Sequence, residues 1–191
     1  MTIKETIFED ALIIEPKIFK DKRGYFYENF NHRKFNEFVG HFDIKQINQS
    51  KSKHGVLRGL HFQRPPYTQA KLVNVIKGMV IDVIVDIRTD SPTFGQHQSF
   101  VLDDVNKLQL FVPRGFAHGF IVLSPNAIFQ YAVDNYYSKE HDDGIRFDDT
   151  RFNIDWEIQK PKLSDNDKKW TNFDWRKFHT KAEYQQNSST L

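Results

Sequence analysis

The 191 residues contain no cysteine, which excludes a disulfide framework, thiolate catalysis and thiolate metal ligation. A reducing, cytoplasmic compartment is the simple expectation. No apolar run approaches the ~18 residues a membrane-crossing helix needs, so no membrane partner is expected. The opening MTIKETIFEDALIIEP carries acids early and lacks the basic start and apolar core of a secretory leader. Neither sign of charge dominates, with 27 Lys and Arg against 25 Asp and Glu. That balance supplies no field to hold the chain on nucleic acid, although a local cluster of Arg and Lys still suits a small anion. His-x-His is missing too, the pair with which small barrels commonly hold a metal from one strand, so no metal is expected.

What is plentiful is aromatic: 18 Phe, 7 Tyr and 3 Trp, 15% of the chain, enough to fill the wide interior that sheets enclose. Short strand-like runs dominate, among them DALIIEPKIF, RGYFYENF, FDIKQINQS, GVLRGLHFQ, AKLVNVI, GMVIDVIVDIR, FAHGFIVLS and AIFQYAVDNYY. Turn signals such as DKRG, RPP, SPTFG and PRG separate them at close spacing. This pattern predicts a single all-β domain, a sandwich or barrel. In GMVIDVIVDIR, Ile81, Val83, Val85 and Ile87 form an apolar face, while Val80, Asp82, Ile84, Asp86 and Arg88 form a mixed one expected to meet water. Asn31 before HRKFNEFV and Gly40 predicts a short capped helix with Phe35 and Phe38 inward. Ser164 in LSDNDKKW is a candidate N-cap for a second helix. The residues from 176 to 191 read as a flexible polar tail.

Several side chains suit chemistry and also have plainer explanations. An arginine and a histidine inside GVLRGLHFQ cost free energy unless paired. Arg58 and His61 are three apart, so a regular strand would point them to opposite faces; a bulge at Gly59 would bring them together. His61 reads either as a satisfied strand histidine or as a base beside the cations Arg58 and Lys71. His118, between glycines in FAHGF, is equally a ligand contact or a turn histidine. Tyr131 shares strand parity with Phe129 and Val133, the pattern of a core tyrosine with a bonded hydroxyl. Asp167 stands three after Ser164, capping-box spacing with Asp in place of Glu, which favours a helix cap.

The runs FKDKRGYFYENF, QINQSKSKHGVLRGLHFQRPPYTQAKLV, VIDVIVDIRTDSPTFG, VPRGFAHGFIVLS and LSDND occur in series from Phe19 to Asp167. Together they resemble the dTDP-4-dehydrorhamnose 3,5-epimerase family. The resemblance implies a cupin-type jelly roll with a few short peripheral helices, no metal or organic cofactor, and a homodimer that exchanges strands. It implies a dTDP-linked 4-keto-6-deoxy sugar as substrate, inverted at the carbons flanking the ketone. By the same resemblance His61 is the base, Asp167 its carboxylate partner, Lys71 the group facing the enolate oxygen and Tyr131 the acid on the opposite face. Arg23, Glu28, Gln46, Asn48, Arg58, His118 and Tyr137 match positions that hold the sugar or the nucleotide diphosphate.

The sequence departs from the family pattern at Phe147 and Thr150, where members often carry tryptophan and proline, and in a longer tail beyond Asp167. The nearest alternative is a sibling enzyme that inverts one carbon or shifts the keto group. A metal-dependent cupin oxygenase and a barrel that binds a nucleotide sugar without turnover are the other readings.

Overall fold

The computed structural model of the chain describes residues 1–186. In chain order the elements are β1 (Thr2–Glu5), β2 (Leu12–Glu15), β3 (Phe19–Asp21), β4 (Gly24–Phe26), α1 (His32–Val39), β5 (Gln46–Lys53), β6 (Leu57–Gln63), β7 (Lys71–Lys77), β8 (Met79–Asp86), β9 (His97–Asp103), β10 (Gln109–Val112), β11 (Phe116–Val122), β12 (Asn126–Val133) and β13 (Asp142–Gly144). Two 3₁₀ turns follow, at Asp167–Lys169 and Trp175–Lys177, and then α2 (Lys181–Tyr184).

Six strands pair in the order β1-β2-β10-β7-β12-β5 and five in the order β13-β6-β11-β8-β9, while β3 and β4 form a separate hairpin. Strand neighbours within both sheets are antiparallel and mostly distant in sequence, so the chain crosses repeatedly between sheets, as in a β-sandwich. Between them lies a core that includes Val73, Val80, Ile84, Leu110, Phe120 and Phe129. A second apolar layer covers the outer face of the five-stranded sheet, where Ile81, Val83, Val85 and Ile87 meet Phe152, Trp156, Phe178 and Tyr184. A third seats Phe35 and Phe42 on Ile14, Leu72 and Phe111 of the six-stranded sheet.

This layering corrects the reading of β8. Both of its faces are buried: Asp82 and Asp86 are fully enclosed and Arg88 nearly so. The mixed face turns inward because its charges have partners there. Arg88 donates to both oxygens of Asp86, at 2.9 and 2.7 Å, and Asp10 binds its other arm.

The α1 helix forms where its caps predict. The Asn31 side chain accepts from the Lys34 amide, and Gly40 ends it at φ +82°. Phe35 is buried, but Phe38 is exposed. Val39, four residues after Phe35, packs against that cluster in place of Phe38. LSDNDKKW yields only a 3₁₀ turn. From residue 176 to 186 the chain does not trail away. Thr180 and Glu183 form a capping box and Tyr184 is fully buried. The remainder of the expected tail, 187–191, lies outside the described residues. No helix among the described residues is long and apolar enough to cross a membrane.

Candidate active site

Between the sheets, a cavity of about 280 Å³ is lined from one side by β5, β7 and β12 and from the other by β6, β11 and β13. Arg58, His61, Lys71, His118, Tyr131, Tyr137 and Asn48 all reach it. The parity conflict in β6 is resolved by a bulge. His61 opposes His118 and Arg58 opposes Phe120, so three steps on β6 match two on β11. Gly59 sits in the irregularity at φ +134°, where a Cβ would come within 2.5 Å of the Gly119 Cα. Glycine is required there both by the backbone angle and by the close strand approach.

Behind His61 stands Asp167, 4% exposed. Its Oδ1 lies 2.6 Å from His61 Nε2 and also accepts from the Gly59 amide at 3.3 Å. Its Oδ2 accepts from the Ser164 hydroxyl, which in turn accepts from the Asp167 amide at 3.1 Å. The carboxylate closes the Ser164 turn, although a 3₁₀ turn and not the expected helix follows it, and it also contacts the imidazole. Burial pushes its pKa up, but the hydrogen bonds from His61 and Ser164 win, leaving it below the usual carboxylate range. An ionised carboxylate only accepts, so the His61 proton sits on Nε2 and the free lone pair on Nδ1.

Facing His61 from the other sheet are Lys71 and Tyr131. Val133 pairs with Lys71 and Tyr131 with Val73, so the two functional side chains leave the same face of that sheet. The Lys71 ammonium lies 6.0 Å from the Tyr131 ring centre. Lys71 is buried, and loss of hydration lowers its pKa to about 8 against the pull of Asp82 and Asp142. Burial raises the Tyr131 pKa, partly countered by a hydrogen bond from Asn48. His118 is a mid-strand residue, not a turn histidine. Its Nε2 lies 2.9 Å from Asp82, and burial lowers its pKa despite that carboxylate.

The remaining predicted residues divide. Gln46 is set back from the cavity. It donates to Asn48 at 2.7 Å and accepts from the Tyr137 amide at 3.4 Å, so it props two lining residues. Arg58 lines the cavity and donates to Ser52 at 3.2 Å. Arg23 and Glu28 do not reach this cavity. Arg23 pairs with Asp21 on the exposed β3–β4 hairpin, and Glu28 pairs with Lys34 over a different depression.

Sequence reasoning missed Gln63, Gln69 and Asp142, which line the site, and Asp82, which backs His118. Asp82 had a signal, a carboxylate between apolar neighbours on a strand. Asp142, which opens β13 in the polar run SKEHDDG, had none. Among the described residues no three His, Asp or Glu side chains converge as metal ligands.

Residues 5–174 match the dTDP-4-dehydrorhamnose 3,5-epimerase family. The chain belongs to that family. A dTDP-4-dehydrorhamnose 3,5-epimerase of Shigella flexneri is 51% identical over 168 residues, 87% of this chain and 93% of the relative. The crystal structure of a dTDP-4-dehydrorhamnose 3,5-epimerase from Elizabethkingia anophelis superposes with a TM-score of 0.89 at 46% identity, covering 93% of this chain and 99% of that one. A Legionella pneumophila dTDP-6-deoxy-D-glucose-3,5-epimerase in complex with dTDP-4-keto-L-rhamnose gives 0.89 at 42% identity, over 94% and 97%. The sandwich is accordingly the cupin-like fold of these epimerases.

Proposed function

We propose that this chain is a cofactor-independent epimerase that inverts the two carbons flanking the ketone of dTDP-4-keto-6-deoxyglucose. One observation carries the reading: an imidazole backed by a carboxylate and a half-buried phenol enter one cavity from opposite sheets, with an ammonium beside the phenol. Nδ1 of His61 takes the proton from the carbon next to the ketone, and Asp167 favours the imidazolium that results. The electron pair moves onto the ketone oxygen as an enolate, which the Lys71 ammonium stabilises. With a pKa of about 8, Lys71 is still mostly cationic at neutral pH. The Tyr131 hydroxyl, held neutral by burial, returns a proton to the carbon from the other face.

The cavity is at the small end of ligand sites, which begin near about 300 Å³, and suits the sugar ring. The nucleotide then extends past Arg58 and Tyr137, where a guanidinium matches diphosphate oxygens. Asn48, Gln46 and His118 orient the sugar. Arg23 and Glu28 act on the site of a second copy in a homodimer that exchanges strands. The exposed rings of Phe19, Tyr25 and Phe26 on and beside that hairpin support this placement, since such a patch marks a contact surface.

Incubation with dTDP-4-keto-6-deoxyglucose in heavy water, followed by NMR, tests the reading. Deuterium is expected at both carbons flanking the ketone and absent with His61→Ala. Label at one carbon only would make this a single-carbon epimerase, and exchange unimpaired in the variant would remove His61 as base.

A further inference from the structure

The family match ends at residue 174, yet the chain beyond it is tied to the loop that leads into Lys71. Thr68, in the loop between β6 and β7, is buried, and its hydroxyl donates to the Tyr184 carbonyl at 2.6 Å. Arg114 donates to the Gln186 carbonyl at 3.2 Å and to Asp134 at 3.0 Å, and Asp134 accepts from the Ala70 amide at 2.8 Å. Ala70 is the residue before Lys71. The Phe178 ring lies 5.7 Å from that of Phe62, itself a cavity wall. The segment is anchored at its far end as well, where the Thr89 amide donates to the His179 carbonyl at 3.0 Å and the Lys181 amide to Asp90 at 2.7 Å.

We infer that residues 178–186 form a strap that fixes the β6–β7 loop, and with it Gln69 and Lys71, for the reaction, with Thr68 as its positioning residue. This rests on the role given above to Lys71. Asn135 already holds part of this loop, its side-chain amide donating to the Pro66 and Thr68 carbonyls at 3.2 Å and its carbonyl accepting from Gln69 at 2.9 Å. The strap adds a second hold, through the Thr68 hydroxyl and a guanidinium–carboxylate relay to Ala70, and misplacing a group that acts in the transition state lowers turnover more than binding.

Thr68→Val in the full chain keeps the side-chain shape and deletes the donor, while Thr68→Ser keeps the donor. Expected for the valine variant are faster amide hydrogen exchange over residues 64–71, a kcat lower by roughly tenfold or more, and a KM within about twofold of the parent. The serine variant should match the parent. Unchanged loop exchange, full turnover despite faster exchange, or an equal defect in the serine variant would each overturn the strap. Lys71→Ala run in parallel keeps two failures apart. Full turnover there removes the role of Lys71, whereas full turnover only in Thr68→Val removes the strap.

Discussion

Asp167 touches two elements at once, its Oδ1 2.6 Å from His61 Nε2 and its Oδ2 on the Ser164 hydroxyl. One carboxylate thereby fixes the tautomer of the imidazole and closes the turn that carries it. Asp167→Asn keeps the shape but presents an amide that donates to Nε2, which moves the ring proton to Nδ1 and leaves no base. A fall in kcat of about 10³–10⁴ is expected, with dTDP affinity unchanged by titration calorimetry. Because the folded carboxylate has a lowered pKa, its contribution to stability is complete above about pH 4 and is lost as pH falls through the lowered value. The Asn variant should accordingly show less acid destabilisation than the parent in urea titrations at successive pH.

Tyr131→Phe separates the two halves of the reaction. Proton removal on the His61 side needs no phenol, so solvent deuterium should still enter the sugar. Net inversion should drop by about 10²–10⁴, the usual worth of a positioned general acid. NMR of the recovered sugar reads both quantities in one tube, and a variant that forms product at the parent rate would exclude Tyr131 as donor.

Lys71 sets activity against stability. With its pKa brought down to about 8 by burial, turnover should decline as pH rises through that value and the ammonium is lost. Folding has the opposite dependence. Between pH 8 and about 10.5 the unfolded chain binds the proton that the folded chain has released, so stability rises with pH across that window. At pH 7 the buried cation costs about 3 kcal/mol by the same linkage. Lys71→Met should therefore raise the urea midpoint at pH 7 while lowering kcat by about 10²–10³. A methionine variant less stable than the parent would contradict the burial cost.

The legible parts of the molecule were those where one rule acts alone. α1 sits between Asn31 and Gly40 because caps are local, and the long strands carry their alternation openly. The resemblance pointed to His61, Lys71, Tyr131 and Asp167, of which the first three line one cavity and the last contacts His61, and the spacing of Arg58 and His61 left open a bulge at Gly59 that the fold contains. What stayed hidden depends on tertiary partners. Asp82, Asp86 and Arg88 looked wet because what meets them comes from elsewhere in the chain, His118 beside Asp82 and Asp10 on the Arg88–Asp86 pair. The polar residues after Trp175 concealed Tyr184, a single ring with no periodic neighbours, whose burial is decided by the sheet it covers. Arg23 and Glu28 were matched by motif, and no local pattern says that a hairpin points away from its own cavity.

Gly144 gives a final test, because its lack of a side chain makes room beside the base. It pairs with His61 across the sheet, and a Cβ there would lie 2.6 Å from the Trp170 ring and 2.7 Å from the Leu60 carbonyl. The Trp170 ring in turn stands edge-on to His61 at 6.0 Å. Gly144→Ala must displace the indole that packs edge-on to the imidazole, and a loss of about 1–3 kcal/mol in stability with a roughly 10–100-fold fall in kcat is expected. The indole Nε1 is buried without a partner, so Trp170→Phe forfeits no hydrogen bond and frees space. Adding Trp170→Phe to Gly144→Ala should restore part of the rate, a coupling that steady-state kinetics on the four variants of the cycle would measure. Losses that simply add would mean that the indole does not transmit the clash to His61.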